Sequence, residues 1–412
     1  MGLLDPYRAL DLTDEKGFFC GKILADLGAE VVKVERPGGD ASRNAPPFYG
    51  DSADPERSLP WFAYNQGKKG ITLNLECAEG RELFFKLVEG ANWVLESFPP
   101  GHLEDAGIGY EALRRANPGI IVARISGFGQ TGPCAHYKAP DIVAMAAGGL
   151  MYLSGDPDRP PVRIGCPQAY LYASADAAVG ALLALYHQQM TGEGQVVDVS
   201  AQQSVAVGSF NTNPWWQIGQ AIINRQGSRR GGIASKVIQR QTWPCRDGCV
   251  TFVITGGGTA AKWNRALTEW MNEEGLADEF MLQIDWERLD MSAVNQEFLD
   301  QLEERIGRFF LSHSKDELYQ GSLRRGAGLY PVTDVSYHQH DAQLMARGFL
   351  KNVEYPELGV AIPHPGPFAK IDEEPLVNGI RAPHMGEHNR EVYAALGLSA
   401  KDLRSLTSRG VV

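Results

Sequence analysis

Residues 7–34, with the sequence YRALDLTDEKGFFCGKILADLGAEVVKV, carry the pattern that decides the fold. Residues 7–12 predict a strand, and the apolar spacing within residues 17–27 predicts a helix. Gly28 stands where helices commonly end. Residues 31–34 then return as a buried strand. A strand, a helix and a strand joined by short connections predict a βαβ unit with parallel strands.

The same alternation continues toward the middle of the chain. Strands are predicted at residues 71–75, 93–95 and 120–125, and helices at residues 79–88, 110–116 and 171–189. Repeated βαβ units form a parallel sheet that helices cover on both faces. The sequence therefore predicts an α/β protein with a Rossmann-like large domain.

The length of 412 residues favours more than one globular unit. A Gly/Arg-rich segment at residues 226–232 breaks the pattern and suggests a linker or mobile loop. We predict a large domain at residues 1–225, a linker and smaller α/β domain at residues 226–329, and a C-terminal segment at residues 330–412. That last segment is proline-rich and loop-rich, ends with a helix near residues 389–396, and is expected to return to the large domain.

Composition excludes several classes of function. The formal net charge of -11 argues against nonspecific nucleic-acid binding, which depends on a basic surface. We find no signal peptide and no apolar run that approaches the length of a membrane span. The six cysteines are sparse and lack zinc-site spacing, so a reducing cytoplasm is the expected location.

Two glycine motifs are candidates for a nucleotide-binding or anion-binding site. Residues 127–132 read GFGQTG, a literal GxGxxG after a predicted strand. Pro133 follows at once, however, so no helix N-terminus can hold a pyrophosphate there, and we predict an extended loop. Residues 256–258 are three glycines after a predicted strand, and they favour either an anion-binding loop or a flexible turn.

A wider set of motifs follows one family in order along the chain. It comprises residues 11–13, 17–20, 25–35, 38–40, 65, 68–73, 96–101, 117–118, 127–132, 191–195 and 386–388. Together they resemble the family III CoA-transferases, the group of formyl-CoA transferase, carnitine CoA-transferase and α-methylacyl-CoA racemase. The resemblance extends over nearly the whole chain. It implies two chains interlocked like links, with acyl-CoA as substrate and no prosthetic group.

The resemblance also implies a mechanism. An aspartate attacks the thioester carbonyl of an acyl-CoA and forms a mixed anhydride. The released CoA thiolate attacks this anhydride and forms an enzyme-bound thioester. The acceptor acid then attacks that thioester, and the same steps run in reverse to give the new acyl-CoA. The scheme depends on a carboxylate nucleophile.

The aspartate of this family corresponds to Tyr170 in the present sequence. Alignment back from residues 191–195 without a gap gives this position, and it places Ser174 where the family has glycine. A phenol, with a reference pKa of about 10, is a poor substitute for a carboxylate. Asp176 follows six residues later and faces another direction on a helix of 3.6 residues per turn, so we interpret it as a surface or interface charge. Pro140 replaces the racemase histidine, which excludes the racemase acid/base pair.

The CoA-binding positions are partly retained. By the resemblance, contacts to CoA fall on Arg36, Leu73, Phe98 and Lys138. Asp105, in contrast, stands where an arginine commonly contacts a CoA phosphate, and an acid there repels phosphate. Ser97 replaces a common asparagine. The sequence leaves open whether this chain binds CoA.

We therefore predict a catalytically degenerate subunit that works with a homologous, Asp-bearing subunit. Two alternatives stay open: an independently active enzyme with a relocated nucleophile, and a non-enzymatic acyl-CoA-binding homodimer. Trp215 and Trp216 are candidates for an aromatic substrate wall, with core packing as the more ordinary role.

Overall fold

The main sheet has six strands, all of them parallel. They are β1 Arg8–Asp11, β2 Glu30–Glu35, β3 Lys69–Thr72, β4 Trp93–Glu96, β5 Ile121–Ser126 and β6 Val196–Ser200. Their order, β3-β2-β1-β4-β5-β6, is that of a doubly wound Rossmann sheet. The computed structural model describes residues 2–231, 237–372, 374–376 and 379–412. The predicted α/β class with a parallel sheet is confirmed.

Burial on both faces explains why these strands are apolar. Every residue of β4 and β5 is buried, as expected for central strands that helices cover on two sides. One core joins apolar side chains of five strands to the helix at residues 78–89, with Val94, Val122 and Phe84 as representatives. The edge strand β6 is more exposed.

The chain divides into two compact units. The first comprises residues up to 150, residues 163–210 and residues 342–412. Its helices are α1 Phe18–Asp26, α2 Leu59–Tyr64, α3 Ala78–Glu89, α4 His102–Asp105, α5 Tyr110–Ala116, α6 Asp141–Ala147, α7 Ala169–Thr191 and α8 Ala201–Gly208.

The second unit comprises residues 151–162 and 211–341. Its strands are β7 Arg229–Gly231, β8 Ile238–Arg240, β9 Thr242–Cys245, β10 Gly248–Thr251 and β11 Tyr330–Pro331. Its helices are α9 Asn213–Gly219, α10 Ala261–Glu273, α11 Glu279–Leu282, α12 Gln296–Leu311 and α13 Lys315–Arg325. Its core combines aliphatic side chains with large aromatic ones, among them Trp243, Trp270 and Phe310.

The C-terminal part of the first unit adds further elements. They are α14 Ala342–Ala346, β12 Leu350–Tyr355, β13 Val360–Pro365, β14 Lys370–Ile371, β15 Glu374–Pro375, α15 Asn389–Ala395 and α16 Ala400–Ser408. Short 3-10 helices lie at residues 41–44, 49–51, 150–153, 210–212, 258–260 and 335–339. The domain boundaries predicted at residues 225 and 330 stay predictions.

Two local predictions differ from the structure. Within the predicted linker at residues 226–232, residues 229–231 form β7, which pairs with β8 in an antiparallel hairpin, while Gly232 lies outside the described residues. The proline-rich stretch after residue 330 contains the hairpin of β12 and β13. Prolines are tolerated in β13 because it belongs to a two-stranded sheet, where each strand has a free edge.

Helix α7 contradicts the expectation that no apolar segment is long enough to span a membrane. Its 23 residues are long and apolar enough to cross a membrane, judged by length and composition. Its alanine face, with Ala173, Ala177 and Ala181, is buried in the first unit. A core helix has the same composition, so the helix is weak evidence for a membrane span.

A buried charge cluster links the first three strands of the sheet. The Nζ of Lys68, just before β3, lies 2.8 Å from Oδ2 of Asp11 at the end of β1. It also donates to the Phe18 carbonyl and to Oδ1 of Asn65, both at 2.9 Å. Lys33 on β2 lies 3.9 Å from the same carboxylate. Burial alone would raise the pKa of Asp11, but the two lysine charges and the hydrogen bonds from Lys68 and Thr13 hold it below its ordinary value.

Replacement of Lys68 tests this cluster. Lys68→Met leaves the fully buried Asp11 carboxylate with the hydrogen bonds from Thr13 and with the more distant Lys33 as its counter-charge, and we expect a loss of about 3–5 kcal/mol in the free energy of unfolding. Urea denaturation measures this loss. The matched control is Lys69→Met at the next residue, whose ion pairs with Glu30 and Glu391 are partly exposed and contribute about 1 kcal/mol or less. Equal losses in the two variants would contradict the assigned role of Lys68.

Candidate active site

Tyr170 is the second residue of helix α7. The helix begins there because Asp141 accepts hydrogen bonds at one oxygen, Oδ1, from the N–H groups of Gln168 and Ala169, both at 2.8 Å. A carboxylate at this end also suits the helix dipole. Asp141 itself starts α6 directly after Pro140. The loop before α6 and the start of α7 are thereby held together.

The Tyr170 hydroxyl is engaged with that loop. It donates a hydrogen bond of 2.5 Å to the carbonyl oxygen of Ala139. Burial, with smaller contributions from the charges of Asp14, Asp141 and Glu15, raises the pKa of Tyr170 to about 12. The phenol is therefore neutral near pH 7, and its proton is committed to a backbone acceptor.

Tyr170 lines a cavity with a volume of about 840 Å³, which we call cavity 1. Much of its wall is aromatic, from Phe18, Phe19, Trp61, Tyr64, Phe98, Tyr137 and Tyr170. Its polar lining residues are Glu15, Lys16, Ser42, Ser97, Ser126, His136, Lys138, Asp141 and Cys166. Trp215 and Trp216 belong to the second unit, and neither is buried, so the aromatic wall of cavity 1 comes from other residues than the sequence suggested.

The two carboxylates that line cavity 1 are both hydrogen-bonded. Asp141 caps helix α7, as described. Glu15 is exposed and accepts a hydrogen bond of 2.8 Å from the Ser42 hydroxyl. Asp176 is exposed on α7 and is not among the residues that line the cavity. Glu15 is thus the carboxylate in this cavity with the greatest freedom to react.

Cavity 2, with a volume of about 890 Å³, lies next to cavity 1. Ser97 and Phe98 line both cavities. Of the residues assigned to CoA by resemblance, Arg36 and Leu73 line cavity 2, Lys138 lines cavity 1, and Phe98 lines both. The structure thus brings all four to one pair of adjoining cavities.

The wall of cavity 2 carries mixed charge. Its arginines are Arg36, whose Nε donates to the Gly39 carbonyl at 3.2 Å, and Arg81, whose Nη1 donates to two backbone carbonyls. Glu76 and Asp105 are exposed acids in the same wall. A polyanionic nucleotide there would meet repulsion as well as attraction.

Two of the substituted positions, Ser174 and Ser97, have hydrogen-bond partners in the structure. The Ser174 hydroxyl is buried and donates to the Lys16 carbonyl at 3.0 Å, which joins α7 to the turn after β1. The Ser97 hydroxyl donates to Oδ1 of Asp14 at 2.7 Å and accepts from the Asp14 N–H at 2.9 Å. These serines stabilise the loops that shape the cavities.

Sequence reasoning did not assign several residues of the two cavities. They are Trp61, Tyr64 and Ser126 in cavity 1, and Arg81 and His102 in cavity 2. Ser126 ends β5 directly before the glycine loop, and its position at the carboxyl end of a parallel strand is the signal that could have identified it. In the described ranges, no group of three or more His, Cys, Asp or Glu side chains is arranged to hold a metal ion.

Glu96 is a buried acid beneath the shared wall of the cavities. Its Oε2 accepts the Phe98 N–H at 2.8 Å, and its Oε1 lies 3.5 Å from Nε of Arg124. Arg124 makes a closer ion pair, at 2.5 Å, with Glu104. Burial therefore dominates and raises the pKa of Glu96 from 4.5 to about 7.

This pKa predicts a pH-dependent contribution to stability. Between pH 4.5 and about 7 the folded chain keeps a proton on Glu96 that the unfolded chain has lost, so rising pH favours unfolding. In Glu96→Gln this contribution is absent. We expect the unfolding free energy of the variant, relative to the parent chain, to rise by about 2–3 kcal/mol across this window. Urea denaturation at pH 4.5 and pH 7.5 measures it, and a constant difference would contradict the assignment.

Comparison with known proteins identifies the family of this chain. The family model described as CoA-transferase family III matches residues 5–389. The BbsE subunit of succinyl-CoA:(R)-benzylsuccinate CoA-transferase from Thauera aromatica is 34% identical over 407 residues, 98% of this chain and 97% of that protein. Succinyl-CoA--D-citramalate CoA-transferase from Chloroflexus aurantiacus is 33% identical over 412 residues, 99% of this chain and 98% of that protein.

A solved structure is also similar. The CaiB/BaiF family protein from Brucella suis has a TM-score of 0.80 at 28% sequence identity, covering 96% of this chain and 100% of that chain. The family match and the relatives extend over nearly the full length of the sequence. The chain therefore belongs to CoA-transferase family III.

Proposed function

We propose that this chain is a catalytically degenerate subunit of an acyl-CoA:carboxylate CoA-transferase, and that it works with a homologous subunit that carries the nucleophilic aspartate. The observation that carries the proposal is Tyr170. A phenol that is neutral near pH 7 and hydrogen-bonded to Ala139 is not a carboxylate nucleophile. The mixed anhydride would therefore form on the partner.

The surroundings of Tyr170 support this assignment. Ser174 joins α7 to the turn that carries Lys16, and this bond supports a fixed position for Tyr170, the residue that the resemblance aligns with the nucleophile. In cavity 2, Asp105 and Glu76 oppose the binding of phosphates. The substitutions at positions assigned to catalysis and CoA binding thus occur together with hydrogen bonds that stabilise the fold.

The outward face of helix α7 supports the presence of a partner. Val179, Leu183, Tyr186 and Met190 form an apolar stripe there, with spacings of three or four residues. Leu183 is 66% exposed and Met190 71% exposed in the single chain. A continuous apolar stripe of this kind is typical of a protein interface. We propose that it faces the Asp-bearing subunit in an intertwined dimer.

The relatives guide the choice of substrates. The names of the Thauera aromatica and Chloroflexus aurantiacus relatives both include succinyl-CoA, and the first is a subunit of the benzylsuccinate enzyme. We propose succinyl-CoA as donor and (R)-benzylsuccinate as acceptor, a step of anaerobic toluene degradation in the cytoplasm. We further propose that Arg36, Leu73, Phe98 and Lys138 are this chain's contacts to CoA, with no prosthetic group.

One observation favours a second candidate function. Glu15 lines cavity 1, is exposed, and is held only by the Ser42 hydroxyl among its described contacts. An independently active transferase could use Glu15 as a relocated nucleophile. A non-enzymatic acyl-CoA-binding homodimer is the third candidate, and assays of CoA transfer and of acyl-CoA binding distinguish the three.

The first assay compares the isolated chain with the mixed complex. We expect the purified chain to show no CoA transfer from succinyl-CoA to benzylsuccinate, and an Asp-bearing homologue from the same host to restore it. The released products are separated by liquid chromatography. The reason is that only the partner carries a carboxylate at the nucleophile position.

Two outcomes would contradict this expectation. Transfer by the isolated chain that Glu15→Gln abolishes would support the relocated nucleophile. The matched control for that case is Asp176→Asn, which removes an exposed carboxylate outside the cavity. Tight acyl-CoA binding without transfer, even in the mixed assembly, would support the binding homodimer.

The second assay tests the stripe on α7. Leu183→Glu places a charge in the middle of the apolar face, and we expect at least a tenfold weaker association with the Asp-bearing subunit. Analytical ultracentrifugation measures the association. Gln189→Glu, at an exposed polar site on the same helix, is the control and is expected to associate normally. If Leu183→Glu associates as tightly as the parent chain, the stripe is not part of the interface.

A further inference from the structure

Three carboxylates surround one arginine at the carboxyl end of the main sheet. The register of the parallel strands pairs Arg124 on β5 with Glu96 on β4 and with Asp198 on β6. Paired residues of neighbouring strands point to the same face of a sheet, so these two acids flank Arg124. A third acid, Glu104, reaches Arg124 from helix α4. One positive charge therefore faces three negative groups.

The two acids on the strands are each engaged with a loop beside the cavities. Glu96 accepts the N–H of Phe98, which lines both cavities. Asp198 accepts the N–H of Gln130 in the glycine loop with both of its oxygens, each at 3.1 Å. Neither acid depends on Arg124 for its closest hydrogen bond.

Glu104, in contrast, joins helix α4 to the sheet through Arg124. The Nη2 of Arg124 donates to Oε1 of Glu104 at 2.5 Å. Gly109 leaves room for this acid, since a Cβ there would lie 2.8 Å from Cγ of Glu104. Helix α4 also supplies part of the wall of cavity 2, namely His102, Leu103 and Asp105. The pair of Arg124 and Glu104 therefore holds a wall of cavity 2 on the sheet.

Arg124 has a second donor that is not used. Its Nε is buried, has no hydrogen-bond partner among the described residues, and lies 3.5 Å from Oε1 of Glu96. A hydrogen bond between an arginine and a carboxylate is shorter, at about 2.7–2.9 Å. The gap fits a Glu96 that carries a proton. Burial raises the pKa of Glu96 to about 7, and the Phe98 N–H and the charge of Arg124 do not offset it.

We propose that Glu96 and Arg124 form a proton-controlled latch on helix α4. With a proton on Glu96, Arg124 pairs with Glu104 and α4 is fixed to the sheet. When Glu96 releases its proton to solvent, its carboxylate draws the Nε of Arg124 into a hydrogen bond. Arg124 then holds Glu104 less tightly, and the wall of cavity 2 loosens.

Burial decides which acid holds the arginine. Glu96 is 3% exposed, so water cannot hydrate its carboxylate, and an ionised Glu96 needs a counter-charge. Glu104 is exposed, and water solvates its carboxylate when the arginine moves away. The approach of Nε to Glu96 needs about 0.7 Å, the difference between 3.5 Å and an ordinary distance of about 2.8 Å. The latch goes beyond the proposed function, since it involves neither Tyr170 nor a partner subunit.

Three other titratable groups lie near the latch. The charges of Glu104 and Asp198 both raise the pKa of Glu96. Burial alone would raise the pKa of Glu104, but hydrogen bonds from Arg124 and the backbone hold it below its ordinary value, so Glu104 stays ionised near pH 7. His102 on α4 stacks on the ring of Phe98, with centroids 4.5 Å apart. Because histidines also titrate near neutral pH, the test separates His102 from Glu96.

Hydrogen-exchange mass spectrometry of the full chain tests the latch. The protection of residues 102–108 is compared at pH 6 and pH 8, after correction for the intrinsic pH dependence of amide exchange. Helix α3 is the internal reference. We expect the protection of residues 102–108 to fall about fivefold from pH 6 to pH 8, while that of α3 stays constant. No change relative to α3 would overturn the proposal, and this comparison needs only the parent chain.

Variants assign the response to the named residues. Glu96→Gln stays neutral at both pH values, and we expect high protection of residues 102–108 at both. Glu104→Gln lacks the ion pair, and we expect low protection at both. Glu111→Gln, at an exposed site on α5, is the matched control and should keep the pH response of the parent. A pH response that persists in folded Glu96→Gln would assign it to His102 and overturn the latch, as would high protection in Glu104→Gln.

Discussion

The ion pair between Asp11 and Lys68 is the constraint on which the site depends. Both side chains are fully enclosed, and a buried charge is stable only when a counter-charge and hydrogen bonds surround it. Lys68 also holds the Phe18 carbonyl, at the start of α1. The turn between β1 and α1 is thereby fixed, and this turn supplies Asp14, Glu15 and Lys16 to the two cavities.

The same turn is hydrogen-bonded to helix α7, which carries Tyr170. Lys16 offers its carbonyl to Ser174, and Asp14 exchanges hydrogen bonds with Ser97 in the wall between the cavities. The packing is therefore continuous from the Asp11–Lys68 pair to Tyr170, the position that the resemblance assigns to the nucleophile. A subunit that supports an assembly, as proposed for this chain, depends on packing of this kind.

The sequence allowed much of the fold and part of the site to be predicted. A strand that is buried on both faces is apolar along most of its length and does not alternate apolar with polar residues. The apolar run at residues 120–125 therefore predicts such a strand. The positions of Arg36, Leu73, Phe98 and Lys138 came from resemblance, and the structure gathers them at two adjoining cavities. The hairpin of β12 and β13 was missed because its prolines occupy an edge, which local sequence does not reveal.

The sequence by itself determined the chain's family and the identity of Tyr170, since both are properties of residues in order. Only the tertiary structure decided what surrounds Tyr170. The Ala139 carbonyl that accepts its hydrogen bond and the rings of Phe19 and Tyr64 in the same cavity come from separate segments. Hydrogen bonds and burial depend on distances in space, so their effect on charge and binding emerges only when the chain is folded.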